Sequence, residues 1–385
     1  MINKSHMKTF LHTVKFSLFF LLLLSFQSCK KDQKQEQSVS IETPKIAIEK
    51  ILDNYEIIWG MDFLPNFDMI FGEKRGRLYL KKLAGVEEIS GLPLINAAGQ
   101  GGLLDVKVHP QYATNGWVYI SYISSSPYSS IKLSRFKIMN NKIENFQNLF
   151  TASGSTGHNG SRIIFDQKGF LYLSIGEGPS TGGGLSGLNK NAIDPGSAWG
   201  KVHRFYDDGR IPSSNPSLPG NASYNSIYTY GHRNPQGLAI HPKSGEVWLS
   251  EHGPLGGDEI NSLTAGANFG WPQYSLGINY DGSKISDGHI AVGITEPIYF
   301  WKPSIGTCGI TFIKGTKFKS WVGSLLVSGL ASQKLHRCKI EDNKIIAEEI
   351  VLKDLGRIRN VVQGPDEHIY VSVEGPGRVY KLSAK

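Results

Sequence analysis

The run Leu103-Leu104-Asp105-Val106-Lys107-Val108-His109-Pro110, followed by Trp117-Val118-Tyr119-Ile120-Ser121-Tyr122, reads as two β-strands around a tight turn. β-branched and aromatic side chains fill both arms, and His-Pro marks the reversal between them. The module recurs along the chain. Upstream stands Gly60-Met61-Asp62-Phe63-Leu64-Pro65 with Met69-Ile70-Phe71. Downstream come Arg162-Ile163-Ile164-Phe165-Asp166 with Phe170-Leu171-Tyr172-Leu173-Ser174, and Gly237-Leu238-Ala239-Ile240-His241-Pro242 with Glu246-Val247-Trp248-Leu249-Ser250. A less regular copy is Gly309-Ile310-Thr311-Phe312-Ile313 with Ser324-Leu325-Leu326-Val327. The last is Ile358-Arg359-Asn360-Val361-Val362, then Gly364-Pro365-Asp366 and His368-Ile369-Tyr370-Val371-Ser372. Six strand–turn–strand units, on the order of 40–75 residues apart, predict an all-β, six-bladed β-propeller with four-stranded blades and long inter-strand loops. A β-sandwich or a two-domain β protein is the alternative. In a propeller, a site is assembled from single residues of several blades that meet at one mouth of the central channel.

Composition agrees with many short strands. The 385 residues are 40% hydrophobic and 11% aromatic, with 44 glycines for tight turns. The formal charge of +8 is spread without a dense Lys/Arg run, which argues against a nucleic-acid partner and leaves room for a basic pocket.

At the N-terminus, Lys4, Lys8 and Lys15 precede the apolar run Phe16–Leu24, too short for a comfortable membrane span. It ends at Ser25-Phe26-Gln27-Ser28-Cys29, which resembles a bacterial lipoprotein signal with Cys29 as the lipidated first mature residue. An uncleaved anchor or an ordinary signal peptide is the alternative. The expected organisation is a signal peptide over 1–28, a lipidated Cys29 with a flexible tether to 45, and a propeller over 46–385. The protein is then anchored to a bacterial membrane, facing the periplasm or the outer surface, as a monomer or homodimer. Two cysteines remain, Cys308 and Cys338, read as unlinked, partly buried thiols.

Four polar segments lie beside strands. Gly154-Ser155-Thr156-Gly157-His158-Asn159-Gly160-Ser161-Arg162 exposes an imidazole between glycines, suited to proton transfer near neutral pH, although a lone loop His is also a common capping group. Tyr230-Gly231-His232-Arg233-Asn234-Pro235-Gln236-Gly237 offers a guanidinium to a developing oxygen charge, with His232 and Gln236 in support. A purely structural Arg is the other reading. Ser250-Glu251-His252-Gly253-Pro254-Leu255-Gly256-Gly257-Asp258-Glu259-Ile260-Asn261 combines backbone carbonyls and carboxylates, the oxygen donors calcium prefers, or is a tight turn with solvated acids. In Gly356-Arg357-Ile358-Arg359-Asn360, strand alternation puts both arginines on one face, for a ligand with several carboxylates or for solvent.

Together these segments resemble the soluble PQQ-dependent glucose/sorbosone (aldose sugar) dehydrogenase family, from about Tyr55 to Leu382. The resemblance rests on Tyr230–Gly237 and Ser250–Asn261, supported by Gly99–Asp105 (GQGGLLD), Asn268–Pro272 (NFGWP) and Gly356–Arg359 (GRIR). It implies an enzyme oxidising aldoses to lactones with pyrroloquinoline quinone (PQQ) and Ca²⁺, then passing electrons to an unidentified acceptor. By the same resemblance His158 is the general base, and Arg233 stands beside the reactive carbonyl. Gln100, Asn234, Arg357 and Arg359 contact the cofactor. Gly253 and Pro254 give carbonyls to a calcium, and Glu259 gives a carboxylate to a second, structural calcium. Three departures stand out: Gly157 where the glucose-active branch has an acid, Ala331 where it has a cofactor-binding Lys, and Phe269 for the usual Tyr. A calcium-dependent propeller lactonase and a non-catalytic carbohydrate-binding propeller are the competing functions.

Overall fold

Each module of the sequence forms the first two strands of a four-stranded antiparallel blade, and six such blades make the propeller that the repeats predict. The computed structural model describes residues 44–125, 129–179, 189–218, 220, 224–288 and 290–385. Cys29 and the signal segment lie outside them. The six inner strands are Ile58–Phe63, Leu103–Val108, Ile163–Phe165, Pro235–Ile240, Thr307–Phe312 and Ile358–Gln363, each lying against the next around the channel. The long inter-strand loops are present too. One example joins Asp258–Ser262 to Tyr299–Trp301 within the fourth blade.

Turn chemistry explains the repeated His-Pro and Asp-Gly signals. His109 Nδ1 accepts the Gln111 backbone N–H at 2.9 Å. Asp166 Oδ1 accepts from Lys168 N and Phe170 N, and Asp366 Oδ1 accepts from His368 N. Each side chain satisfies backbone donors that the reversal would otherwise strand.

The hydrophobic core is divided among six clusters, one between each pair of neighbouring blades. Trp248 and Trp321 are fully buried in this way, and burying a large apolar side chain contributes about 1.5–3 kcal/mol. Polar stitches add register between blades. Asp62 accepts from Val108 N at 2.8 Å, Asp105 from Ile163 N at 2.8 Å, and Asp258 from Thr307 N at 2.9 Å. Serines within the second strands act similarly. Ser121, Ser174 and Ser250 donate to carbonyls of Ser161, Pro235 and Cys308 on the following blade.

One feature has no counterpart in the repeats. The strand Ile46–Tyr55 is the outer strand of the last blade, pairing antiparallel with Gly377–Ala384 from Ile46↔Ala384 to Tyr55↔Gly377. The ring is thus closed by hydrogen bonds between the first and last strands of the propeller. Cys308 and Cys338 are buried and unbridged, as expected.

Candidate functional site

His158 sits in the loop that enters the third blade. Its backbone pairs with Gly178, N–H to O at 2.8 Å and the return bond at 2.9 Å. Small residues are required here, since a Cβ on Gly176 would lie 2.6 Å from the His158 carbonyl oxygen. Asn159 Nδ2 donates to the carbonyls of Ser155 and Gly157 and pins the loop. The imidazole is thereby held over the end of the strand Leu171–Ile175, where Glu177 follows.

Glu177 organises this corner. Its Oε1 lies 3.0 Å from His158 Nδ1, and Trp271 Nε1 donates to its Oε2. The side chain is completely buried. A carboxylate accepts only, so Nδ1 carries the proton and Nε2 is left with its lone pair. Nε2 has no hydrogen-bond partner among the described residues. Burial pushes the imidazole below its ordinary range; Glu177 opposes that shift and Arg233 reinforces it. A neutral ring with a free acceptor nitrogen results.

Arg233 lies on the other side of the same carboxylate, with Nε 3.9 Å from Glu177 Oε1. Its backbone N–H donates to Glu251 Oε2 at 2.7 Å, and its Nη1 donates to the carbonyls of Gly253 (2.8 Å) and His252 (3.2 Å). The guanidinium stands over the Trp271 ring at 5.3 Å. Nε is buried without a hydrogen-bond partner. His158 and Arg233, distant in sequence, are therefore neighbours through one acid.

Gln100 joins them. Its backbone N–H donates to Thr156 O at 3.0 Å, so its loop rests on the loop that carries His158. Asn234 is buried and accepts from Gln236 Nε2 at 2.9 Å, while its carbonyl accepts from His252 N. Beyond lies a cavity of about 300 Å³ with Gln100, Gln236, His252, Trp59, Arg357 and Arg359 among its walls. That volume is at the lower end for small-molecule sites. Arg359 lies 3.9 Å over the Trp59 ring. Arg357 and Arg359 share a face, as alternation predicts, and both turn to Glu374. Arg357 Nε donates to Oε2 at 3.0 Å and Arg359 Nε to Oε1 at 2.7 Å. Burial raises the Glu374 carboxyl, but the two arginines outweigh it and hold the group below the usual carboxylate range. His252 is half-buried, and its Nε2 is buried with no hydrogen-bond partner among the described residues. Burial pushes it down to about 4; Asp258 opposes, and Arg359, Arg233 and His158 add to the shift.

Glu259 faces a smaller space, which Arg233 and His252 also wall. A gap of about 10 Å³ has Glu259, Glu251, Gly231, Phe269 and Gly253 among its walls, room for about one water-sized body. Burial pushes the Glu259 carboxyl well above its ordinary value, and Glu251 pushes the same way. Phe269 is buried here, stacked on His232 at 4.7 Å. Pro254 follows Gly253 in the same turn and is buried. Ala331 is exposed and brings no charge, and Gly157 donates its backbone N–H to Ser155 Oγ.

Arg162 reaches across the channel to partners on three other blades. Its Nε donates to Gln236 O at 3.1 Å and its Nη1 to Asp105 Oδ1 at 2.9 Å, with Trp59 O at 3.5 Å. Gln236 and Trp59 wall the upper cavity. Arg162 and Asp105 themselves wall a second cavity of about 270 Å³ beneath it.

Several of these residues were not singled out from sequence: Glu177, Glu251, Glu374, His252 and Trp271. A signal was present for the acids. Glu177, Glu251 and Glu374 each end or closely follow the second strand of a blade, and each binds a basic side chain: His158, His232 and Arg359.

Comparison with known proteins bears on this arrangement. The chain is 34% identical to the aldose sugar dehydrogenase YliI of Escherichia coli (strain K12), over 88% of this chain and 93% of the relative. It is 25% identical to quinoprotein glucose dehydrogenase B of Acinetobacter calcoaceticus, over 88% and 86%. The crystal structure of the soluble aldose sugar dehydrogenase from Escherichia coli in its apo-form superposes with a TM-score of 0.82 at 33% identity, covering 89% of this chain and 100% of that one. The model of the family described as glucose/sorbosone dehydrogenase matches residues 55–381, and the chain belongs to that family.

Proposed function

We propose that this protein oxidises aldose sugars to lactones with PQQ, and that His158 is the base. The observation that carries the reading is the Glu177 carboxylate, shared by His158 and Arg233; Arg233 in turn donates to the carbonyl of His252, which walls the cavity of Arg357 and Arg359. Relatives named as an aldose sugar dehydrogenase and a quinoprotein glucose dehydrogenase support the same class of reaction.

The residues fit the cofactor. PQQ carries several carboxylates, and Arg357 and Arg359 present two guanidinium groups aligned by Glu374. The buried, unpartnered Arg233 Nε and His252 Nε2 are polar atoms that need a partner. When bound, PQQ supplies the electrophilic carbonyl that accepts two electrons. The protein's own part begins at His158. Its Nε2 takes the proton of the anomeric hydroxyl, and Glu177 stabilises the imidazolium that forms. Arg233 holds a fixed positive charge beside the reacting oxygen. Gln100 walls the cavity, and Asn234 stands behind it, holding Gln236.

Calcium has a fitting donor set at Glu259. A calcium there would be held by two buried carboxylates, Glu251 and Glu259, which face one small gap also walled by Arg233 and His252. At Gly253 the carbonyl accepts from Arg233, so a cation at Gly253 and Pro254 would share that oxygen with the guanidinium. We further infer that Cys29 anchors the protein to a bacterial membrane, facing the periplasm or outer surface, and that an acceptor other than nicotinamide removes the electrons.

The decisive test is reconstitution of apo protein with PQQ and Ca²⁺, followed by reduction of an artificial dye on addition of aldoses. Bound PQQ with no turnover across a broad sugar panel defeats the enzyme reading and leaves a binding propeller.

A further inference from the structure

Lys74 follows Glu73 at the end of the first blade's second strand and walls the same cavity as Arg357 and Arg359. Its course is fixed by a missing side chain. A Cβ on Gly102 would lie 2.7 Å from Lys74 Cγ and 2.4 Å from its carbonyl oxygen. The ammonium donates to Ala97 O at 2.7 Å, a neutral acceptor. The acids around it are committed elsewhere: Glu56 to Arg75, and Glu374 to both arginines. An ammonium has three donors, so two remain for a ligand. Burial lowers the Lys74 pKa; Glu56 opposes this and Arg359 adds to it. The wall thus gathers three cations, Lys74, Arg357 and Arg359, around a single carboxylate, Glu374. An excess of positive charge in a partly desolvated cavity is unfavourable until an anion neutralises it.

We propose that Lys74 is a third cofactor-holding cation, which binds a carboxylate of PQQ from the first blade while Arg357 and Arg359 bind from the last. The proposal rests on the PQQ reading above and assigns a residue that no motif in the sequence marks. It also gives Gly102 a purpose, as the gap through which the lysine stem reaches the cavity.

The experiment is calorimetric titration of the apo protein with PQQ in calcium buffer, at low and at high ionic strength. It compares the wild type with Lys74→Gln and Lys74→Arg. Gln keeps a donor for Ala97 O and removes the charge. The expected result is binding weakened about 10- to 100-fold in Lys74→Gln, with a smaller dependence on salt, and near wild-type binding in Lys74→Arg. Lys74→Gln binding within about twofold of wild type at both salts overturns the proposal and leaves the PQQ reading intact. Equal weakening in both variants with an unchanged salt dependence also overturns it, because Lys74 is then structural. A wild type that binds no PQQ overturns both.

Discussion

His158 Nδ1 lies 3.0 Å from Glu177 Oε1, and this one contact decides which ring nitrogen is available for chemistry. The acid fixes the tautomer, aims the ring and ties the imidazole to the guanidinium of Arg233. Removing either partner has a distinct signature.

His158→Ala should lower turnover by about 10²–10⁴-fold while PQQ still binds. Steady-state kinetics beside a cofactor titration separates the two effects. Turnover near the wild-type value removes His158 from the chemistry.

The pH profile follows from the same pair. His158 must be neutral to accept a proton, and burial first, then Arg233, lowers its pKa, with Glu177 acting in the opposite sense. Activity should therefore persist below the ordinary imidazole value of about 6.5. Glu177→Gln removes the raising influence, so its acidic limb should move lower still as kcat falls. A limb in kcat/KM that moves upward in Glu177→Gln contradicts the assignment.

Arg359 and Arg357 should differ in weight. The Arg359 side chain is 9% exposed and Arg357 is 50% exposed. Arg359→Ala should weaken PQQ binding by about 1.5–3 kcal/mol, the value of a charged hydrogen bond out of water. Arg357→Ala should cost less, because solvent screens it. Calorimetric titration of both variants checks the order.

Calcium should act on stability through Glu259. With Ca²⁺ the wild type should melt about 3–6 °C higher than in chelator, by mass action on the folded state. Glu259→Gln should lose that response. In chelator it should melt at or above the wild type, because it removes an acid crowded against Glu251. Thermal melts in calcium and in chelator show the crossover or its absence.

Cys29→Ala should abolish incorporation of labelled fatty acid and release the protein from membranes. Retention on the membrane after that change disproves the lipid anchor.

The blades were legible because each inner pair of strands must bury apolar residues on both faces, so the pattern survives in every copy. Leu103–Val108 with Val118–Ser124 is the clearest case. Closure by Ile46–Tyr55 was not legible, since nothing local in that strand announces a partner more than three hundred residues away. The arginines and His158 stood out as residue types beside glycines. Their orienting acids did not, because Glu177 and Glu374 look like ordinary strand-end carboxylates until the blades bring His158 and Arg359 against them. Lys74 was hidden for the same reason: its meaning depends on Gly102 in the next blade.

Arg162, held by Gln236 O, Trp59 O and Asp105, sets a guanidinium across the channel between two cavities. A cofactor bound on one side of it would be reached from that side. On the proposed reading, sugar and electron acceptor would then take turns at the same opening.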